Sequence, residues 1–385
     1  MHFLDFVLRN LLRRKVRTGL TIVGVSVAIA AVVALLSVTG GYESSSKQMY
    51  ANEGVDLIVV RADVVNASTS SLKESLAGRL EKLEGVRKVA PALSDSITIG
   101  GGLSPLPVRG WPIDSFAFDS LKIIDGRSLH ASDKHAVLLG QAAAEMFDKH
   151  LDDNLGDLGS DFSDFKVVGI YQSGNMTENR SAVVLLRDMQ EVMDKNGEVS
   201  EFDISADKDV ADPDATIKAM RSQIEHLTDE DGAKLGLTAM SSEDFVSSDN
   251  QIRVARAMTW VTSAIALIVG SIGMLNTMIV SVLERTQEIG ILRAIGWKKS
   301  RIMRMIMVES FTLSFTGAVF GILIAYVMVV VLARFPAVGG LVSGRITMHV
   351  VVLAYILSVV VGLIGGAYPA LRGARLAPTE ALRYE

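Results

Sequence analysis

Four apolar runs constrain this chain more than any other feature: Leu20–Val38, Ala257–Leu283, Met307–Val331 and Val350–Leu371. Each is long enough to cross a hydrocarbon core, which takes about 20 helical residues at ~1.5 Å rise. None contains Asp, Lys or Arg, and the one charge among them is Glu309, near an end of the third. A soluble protein rarely buries four such runs. The expected fold class is therefore membrane α-helical, with four transmembrane helices.

Charge then orients the chain. Lys and Arg gather before the first run (Arg9, Arg13, Arg14, Lys15, Arg17), between the second and third (Arg285, Arg293, Lys298, Lys299, Arg301, Arg304) and after the fourth (Arg372, Arg375, Arg383). The positive-inside bias puts these groups, and both termini, in the cytoplasm. Residues 39–257 hold 22 Lys+Arg against 37 Asp+Glu, a balance of −15 inside a chain whose total is −5. That acidic stretch belongs on the outer side, as a large α+β extracytoplasmic domain between the first and second spans. The absence of cysteine fits a domain exported without disulfides. The first run is too long for the apolar core of a cleavable signal peptide, so it is read as a span.

The expected boundaries follow. Residues 1–18 form a cytoplasmic amphipathic helix, with Phe3, Phe6, Val7, Leu11 and Leu12 on one face. Residues 19–40 are the first span, 41–250 the outer domain, 251–284 the second span with a stalk, and 285–306 a cytoplasmic coupling loop. The third span is 307–333, a short outer loop 334–349, the fourth span 350–371, and a cytoplasmic tail 372–385. The stalk is inferred because the second apolar run, at about 40 Å, exceeds a ~30 Å hydrocarbon core. In the outer domain, strand–helix–strand patterns recur at both ends. They are Val55–Arg61, Leu72–Leu83 and Val86–Leu93, then Glu201–Ala206, Pro213–Leu227 and Leu235–Met240. The middle, about 100–190, reads as an inserted β-rich lobe with strands at Ala136–Leu139, Phe165–Tyr171 and Ala182–Leu186 and a helix at Gln141–Lys149.

Several chemistries are excluded. The dipeptide Gly-Lys never occurs, so there is no P-loop and ATP chemistry is assigned to another chain. An EF-hand frame started at Asp152 puts Asp157 where glycine is needed and Ser163 where glutamate is needed. The six histidines show no ligand spacing. No cofactor or metal site is expected in this chain. Carboxylates and histidines are missing at mid-depth in the runs, which argues against a proton-coupled carrier or an ion pore. Gly317 and Gly321, and Gly362 and Gly366, have the spacing for close helix packing. Glu309 is expected to pair with Arg304 or Arg301, or to favour a helix N-terminus, as part of a joint.

Between the second and third runs lies Glu284-Arg-Thr-Gln-Glu-Ile-Gly-Ile-Leu-Arg-Ala-Ile-Gly296, which mixes charge with Ile289, Leu292 and Ile295 at helical spacing. It resembles the signature that follows the second span in MacB/FtsX-type ABC transporter permeases. The entry Asn10-Leu-Leu-Arg-Arg-Lys-Val-Arg-Thr-Gly-Leu-Thr-Ile-Val-Gly24, the phrase Gly85-Val-Arg-Lys-Val-Ala-Pro-Ala-Leu93 and the tail Tyr368–Leu382 are similar to that family too. The resemblance covers nearly the whole chain. It implies a permease subunit of an export or extraction system, itself no enzyme, whose outer domain is moved by ATP hydrolysis on a separate cytoplasmic ABC ATPase. It implies that Glu284, Arg285, Glu288, Ile289, Gly290, Arg293, Ala294 and Gly296 couple to that ATPase. A homodimer or a heterodimer with a sister permease, a periplasmic adaptor protein and membrane lipids are the other implied partners. Nucleic acid is not among them. The alternative is a transmembrane signalling module controlling an extracytoplasmic enzyme, as in FtsX-like systems. The implied location is the cytoplasmic (inner) membrane.

Overall fold

The computed structural model describes residues 15–62, 69–99, 105–156, 161–175, 177–210, 212–229, 231–333 and 346–376. Most of the amphipathic helix expected over 1–18, much of the 334–349 loop and most of the tail lie outside these residues. The chain divides into two units. One is helical and drawn from Met1–Thr39, Ala255–Leu332 and Gly344–Glu385; the other is built on a sheet and drawn from Gly40–Val254 with Ala333–Ser343.

The first helix, α1, runs Lys15–Glu53, and its residues from Gly40 onward belong to the sheet unit. There follow β1 (Leu57–Arg61), β2 (Leu72–Lys73), a 3-10 turn Glu74–Leu76, α2 (Ala77–Leu80), β3 (Val86–Ile97), β4 (Leu106–Trp111) and β5 (Lys122–Gly126). Next come β6 (Ala136–Gly140), α3 (Gln141–Phe147), β7 (Lys166–Gln172), β8 (Ala182–Leu185) and α4 (Leu186–Val192). The unit closes with β9 (Glu198–Val199), β10 (Glu201–Ala206), α5 (Pro213–Glu225), β11 (Leu237–Ser241) and α6 (Ser242–Ser248).

Nine of these strands form one sheet in the order β11-β1-β10-β3-β4-β8-β6-β7-β5. Strands from the middle of the sequence and strands from its two ends therefore join in one ladder. The cause is β3, whose 12 residues give ~40 Å of extended chain. Its first part, through Ala92, pairs antiparallel with β10, and Leu93–Ile97 pair antiparallel with β4. Strands from both ends of the unit and strands from its middle thus share one backbone ladder.

A second departure is Leu72–Leu83, expected as one helix. Leu72 and Lys73 pair instead with Val199 and Glu198, and only Ala77–Leu80 is α-helical. A strand partner more than a hundred residues away outweighs local helical periodicity. By contrast α5 starts where its residues require, with Asp212 Oδ1 accepting from Ala215 N at 3.0 Å and Pro213 in the first turn.

Within the sheet unit, Arg109 on β4 is buried and surrounded by carboxylates. Its Nη1 donates to Glu53 at 2.7 Å and its Nη2 to Asp203 at 2.9 Å, with Glu201 at 3.7 Å. The guanidinium also lies over the rings of Trp111 (4.7 Å) and Tyr50 (5.3 Å). A single cation cannot balance all of these acids in an interior that solvates charge poorly. Burial, then the neighbouring charge of Glu201, pushes the Asp203 carboxyl well above the usual carboxylate range, and burial raises Glu201 as well.

The helical unit adds α7 (Asn250–Glu284), α8 (Thr286–Ala294), α9 (Lys299–Leu332) and α10 (Met348–Arg375). Helices α1, α7, α9 and α10 are each long and apolar enough to cross a membrane. At 35 residues α7 is about 52 Å long, well beyond a ~30 Å core. Val25, Ile29, Met274, Met278, Leu313 and Val361 belong to a common core. Glycines set how closely the backbones approach. A Cβ on Gly321 would sit 2.8 Å from the carbonyl oxygen of Ser26 and 3.0 Å from Ile29 Cβ, and one on Gly317 would sit 2.7 Å from Val25 Cγ1. Gly362 and Gly366 receive Ser314 and Ser310 of α9 in the same way. Those serines donate to the carbonyls of Phe311 and Met307 on their own helix, which leaves no unpaired hydroxyl there.

Two outcomes follow. Gly321→Ala should lower thermal stability in detergent by about 1–3 kcal/mol, because the added carbon meets backbone. Gly24→Ala, where nothing lies within 4 Å, should be neutral; equal melting of the two variants would contradict the packing. For the buried acids, a folded-state pKa raised above the unfolded value means the native state holds its proton more tightly. The stabilisation is then greatest at acid pH and is lost as pH rises from the ordinary carboxylate range through the raised value. Wild type should lose stability relative to Asp203→Asn over that rise; melting curves in a pH series showing the opposite slope would refute it.

Candidate functional site

Helix α7 ends at Glu284 because Arg285 leaves helical geometry, with φ −106° and ψ 17°. Thr286 Oγ1 donates to the Leu283 carbonyl at 2.6 Å and closes the old helix as α8 begins. At its far end α8 stops on Gly296, whose φ of +105° lies in the left-handed region that a side chain disfavours. Trp297 N donates to Leu292 O at 3.0 Å and Gly296 N to Arg293 O at 3.1 Å, the paired bonds of a Schellman cap. The result is a short helix held between two long ones by sharp, hydrogen-bonded corners.

Ion pairs fix those corners. Arg285 is buried; its Nη1 donates to Glu309 of α9 at 3.0 Å and its Nε to Glu288 of α8 at 3.1 Å. Glu284 receives the guanidinium of Arg17 in bidentate fashion, one of the two bonds being Nη1 to Oε2 at 2.7 Å. Helices α1, α7, α8 and α9 are thereby tied together by charge at one end of the bundle. Glu309 was expected to look to Arg304 or Arg301; the partner seen here, Arg285, lies 24 residues away. The guanidinium of Arg301 lies 4.1 Å from the Trp297 ring centroid.

The residues singled out in sequence fall on different sides of α8. Ile289 and Gly290 are buried, and Ile289 packs in the core that contains Ile302, Met305 and Ile306. They hold the helix down. Arg293 is half-buried and donates to the Trp297 carbonyl at 2.9 Å. Glu288, Ala294 and Gly296 are exposed, as is Glu284. Sequence reasoning missed Gln287 and Ile291 and grouped Ile295 with Ile289 and Leu292. Ile291 is 48% and Ile295 73% exposed. With Gln287, Glu288 and Ala294 they form one outward stripe at positions i, i+1, i+4, i+7 and i+8. Helical periodicity alone could not single this stripe out, since Ile289 and Leu292 leave Glu288 and Ile295 near the boundary between the two sides.

Two isoleucines thus stand exposed on a short helix that is anchored by buried charge.

Comparison with known proteins bears on this arrangement. Residues 18–227 match the MacB-like periplasmic core domain, and residues 260–378 match the FtsX-like permease C-terminal region. The uncharacterized ABC transporter permease YknZ of Bacillus subtilis is 27% identical over 98% of this chain and 98% of its own length. An uncharacterized ABC transporter permease of Methanocaldococcus jannaschii is 27% identical over 99% of this chain and 98% of its own. The macrolide export ATP-binding/permease protein MacB of Bdellovibrio bacteriovorus is 25% identical over 98% of this chain, which spans 61% of that relative's length.

Removing one partner of the buried pair should be costly. Glu309→Gln removes the buried carboxylate and leaves Arg285 only the exposed Glu288, and it should destabilise the folded chain by up to about 3–5 kcal/mol. Arg17→Gln, at a part-exposed pair, should cost about 1 kcal/mol or less. Thermal unfolding in detergent measures both, and the reverse ranking would contradict the geometry.

Proposed function

This chain belongs to the MacB/FtsX-type family of ABC transporter permeases, and we propose on that premise that α8 is the surface through which a separate ATPase drives it. The family is one of multi-pass proteins of the cytoplasmic membrane with an extracytoplasmic α+β domain, and membership implies a partner ATPase. The observation that carries the reading is the outward stripe Gln287, Glu288, Ile291, Ala294 and Ile295, backed by the Arg285–Glu309 pair. Isoleucines left bare on a surface helix gain by entering an apolar groove, and each buried one contributes roughly 1.5–3 kcal/mol of transfer free energy. The basic residues around α8 put it on the cytoplasmic side by the positive-inside bias. That is the side where ATP is available.

The chain spans 98% of the length of the two permease relatives and 61% of that of the ATP-binding/permease relative. In this reading closure of the ATPase shifts α8, the corners at Arg285 and Gly296 transmit the shift to α7 and α9, and the extracytoplasmic domain changes shape. The output is export or extraction of a substrate handled on the outer side. A second permease copy or a sister subunit completes the assembly, and a periplasmic adaptor is a further partner.

The test is co-purification and ATPase activity with the cognate ATPase. Ile291→Asp combined with Ile295→Asp should abolish association while leaving the melting temperature of this chain unchanged, because both side chains are exposed. Full retention of association and nucleotide-driven transport in that variant would end the reading.

A further inference from the structure

The basic residues that follow α8 are not spread evenly around α9. Arg301, Arg304, Val308, Phe311, Phe315 and Val319 recur at i, i+3, i+7, i+10, i+14 and i+18, and so share one stripe of the helix. Arg301 and Arg304 are exposed and Val308 is half-buried, while Phe311, Phe315 and Val319 are each 44% exposed. The side turned into the bundle, with Ile302, Met305, Ile306 and Glu309, is buried. The exposed stripe thus changes from cationic to apolar along a single line. We infer that it holds an anionic phospholipid, with the phosphate on Arg301 and Arg304 and the acyl chains along Phe311 and Phe315.

Charge and shape together select that occupant. No Asp or Glu lies between Gly296 and Val308. Glu309, next in line, is buried and accepts from Arg285. Among the described residues neither Arg301 nor Arg304 joins an ion pair; Arg301 lies instead over the Trp297 ring, at 4.1 Å. Arginines at i and i+3 are neighbours on a helix surface, and their planar forks suit the oxygens of one phosphate. Helical rise sets the depth. Arg304 and Phe311 are about 10 Å apart along the axis, so a guanidinium at head-group level leaves the phenyl ring among acyl chains. Phe311 and Phe315 stack at 6.1 Å, and Phe315 meets Tyr355 of α10 at 5.1 Å, which makes a continuous aromatic wall. A free phosphate would use only the cationic end of the stripe. An acidic protein surface would reach the arginines and leave the phenyl rings uncovered.

The lipid measurement uses the full chain and no ATPase, so its outcome is independent of whether α8 docks one. The protein in detergent is mixed with equal amounts of phosphatidylglycerol and phosphatidylcholine carrying the same acyl chains, and native mass spectrometry counts the lipid retained. Wild type should retain phosphatidylglycerol over phosphatidylcholine by at least about tenfold. Arg301→Gln combined with Arg304→Gln should bring the two lipids close to parity, and because both positions are exposed the variant should fold. Lys298→Gln combined with Lys299→Gln removes the same charge off the stripe and should keep most of the preference. Glycerophosphoglycerol, the head group without its chains, and inorganic phosphate should not displace the lipid at equal concentration. Equal retention of the two lipids, equal loss in the two double variants, or displacement by either chainless anion would each overturn the assignment. So would an arginine variant that keeps the lipid preference; if it also loses the ATPase in co-purification, the pair serves that protein instead.

Discussion

Hydrocarbon solvates neither a charge nor an open backbone amide, and the helical unit is arranged around that fact. Its long helices keep charge out of their centres, and ion pairs tie them together at one end. There Arg285 reaches Glu309 and Glu288, and Arg17 reaches Glu284. Farther along the helices the contact is made without charge, by Gly317, Gly321, Gly362 and Gly366 meeting Val25, Ile29, Ser314 and Ser310. Short side chains and buried charge serve the same end in different surroundings. Each makes one register of the helices much better than its neighbours.

The sheet unit solves a related problem in water. Its strands come from both ends and from the middle of a long acidic segment, and β3 is shared between them. Arg109 stands close to that junction, with carboxylates from the end of α1 and from β10 around it. A buried cation held by several acids is sensitive to protonation, so the same cluster governs the expected pH response.

Much of this was legible in the residues, for reasons that differ by element. The four apolar helices could be read because length and lack of charge leave few other solutions. Helix α5 could be read because Asp212 and Pro213 mark its start. The stretch Leu72–Leu83 could not, since its fate depends on Val199 and Glu198, far away in sequence. Strand β4 was hidden by Pro107 and Gly110, and with it the role of Arg109. At the candidate site the position of α8 was legible from its charge and its place between two runs. Which of its faces looks outward was not, because Ile289, Ile291 and Ile295 are alike in chemistry and differ only in direction. The pairing of Arg285 with Glu309 was missed because it joins two helices across a turn.

The central claim is that α8 moves as one body with the helices it is tied to. The chain has no native cysteine, so spin labels can be placed at Ala294→Cys on α8 and Phe311→Cys on α9, both exposed positions. Electron–electron distance measurements on the complex with its ATPase, without nucleotide and with ATP trapped, test the claim directly. The account predicts one narrow distance that stays the same in both states. A distance that shifts or broadens on nucleotide binding would mean that α8 swings free of α9, and that the buried pair does not transmit the movement.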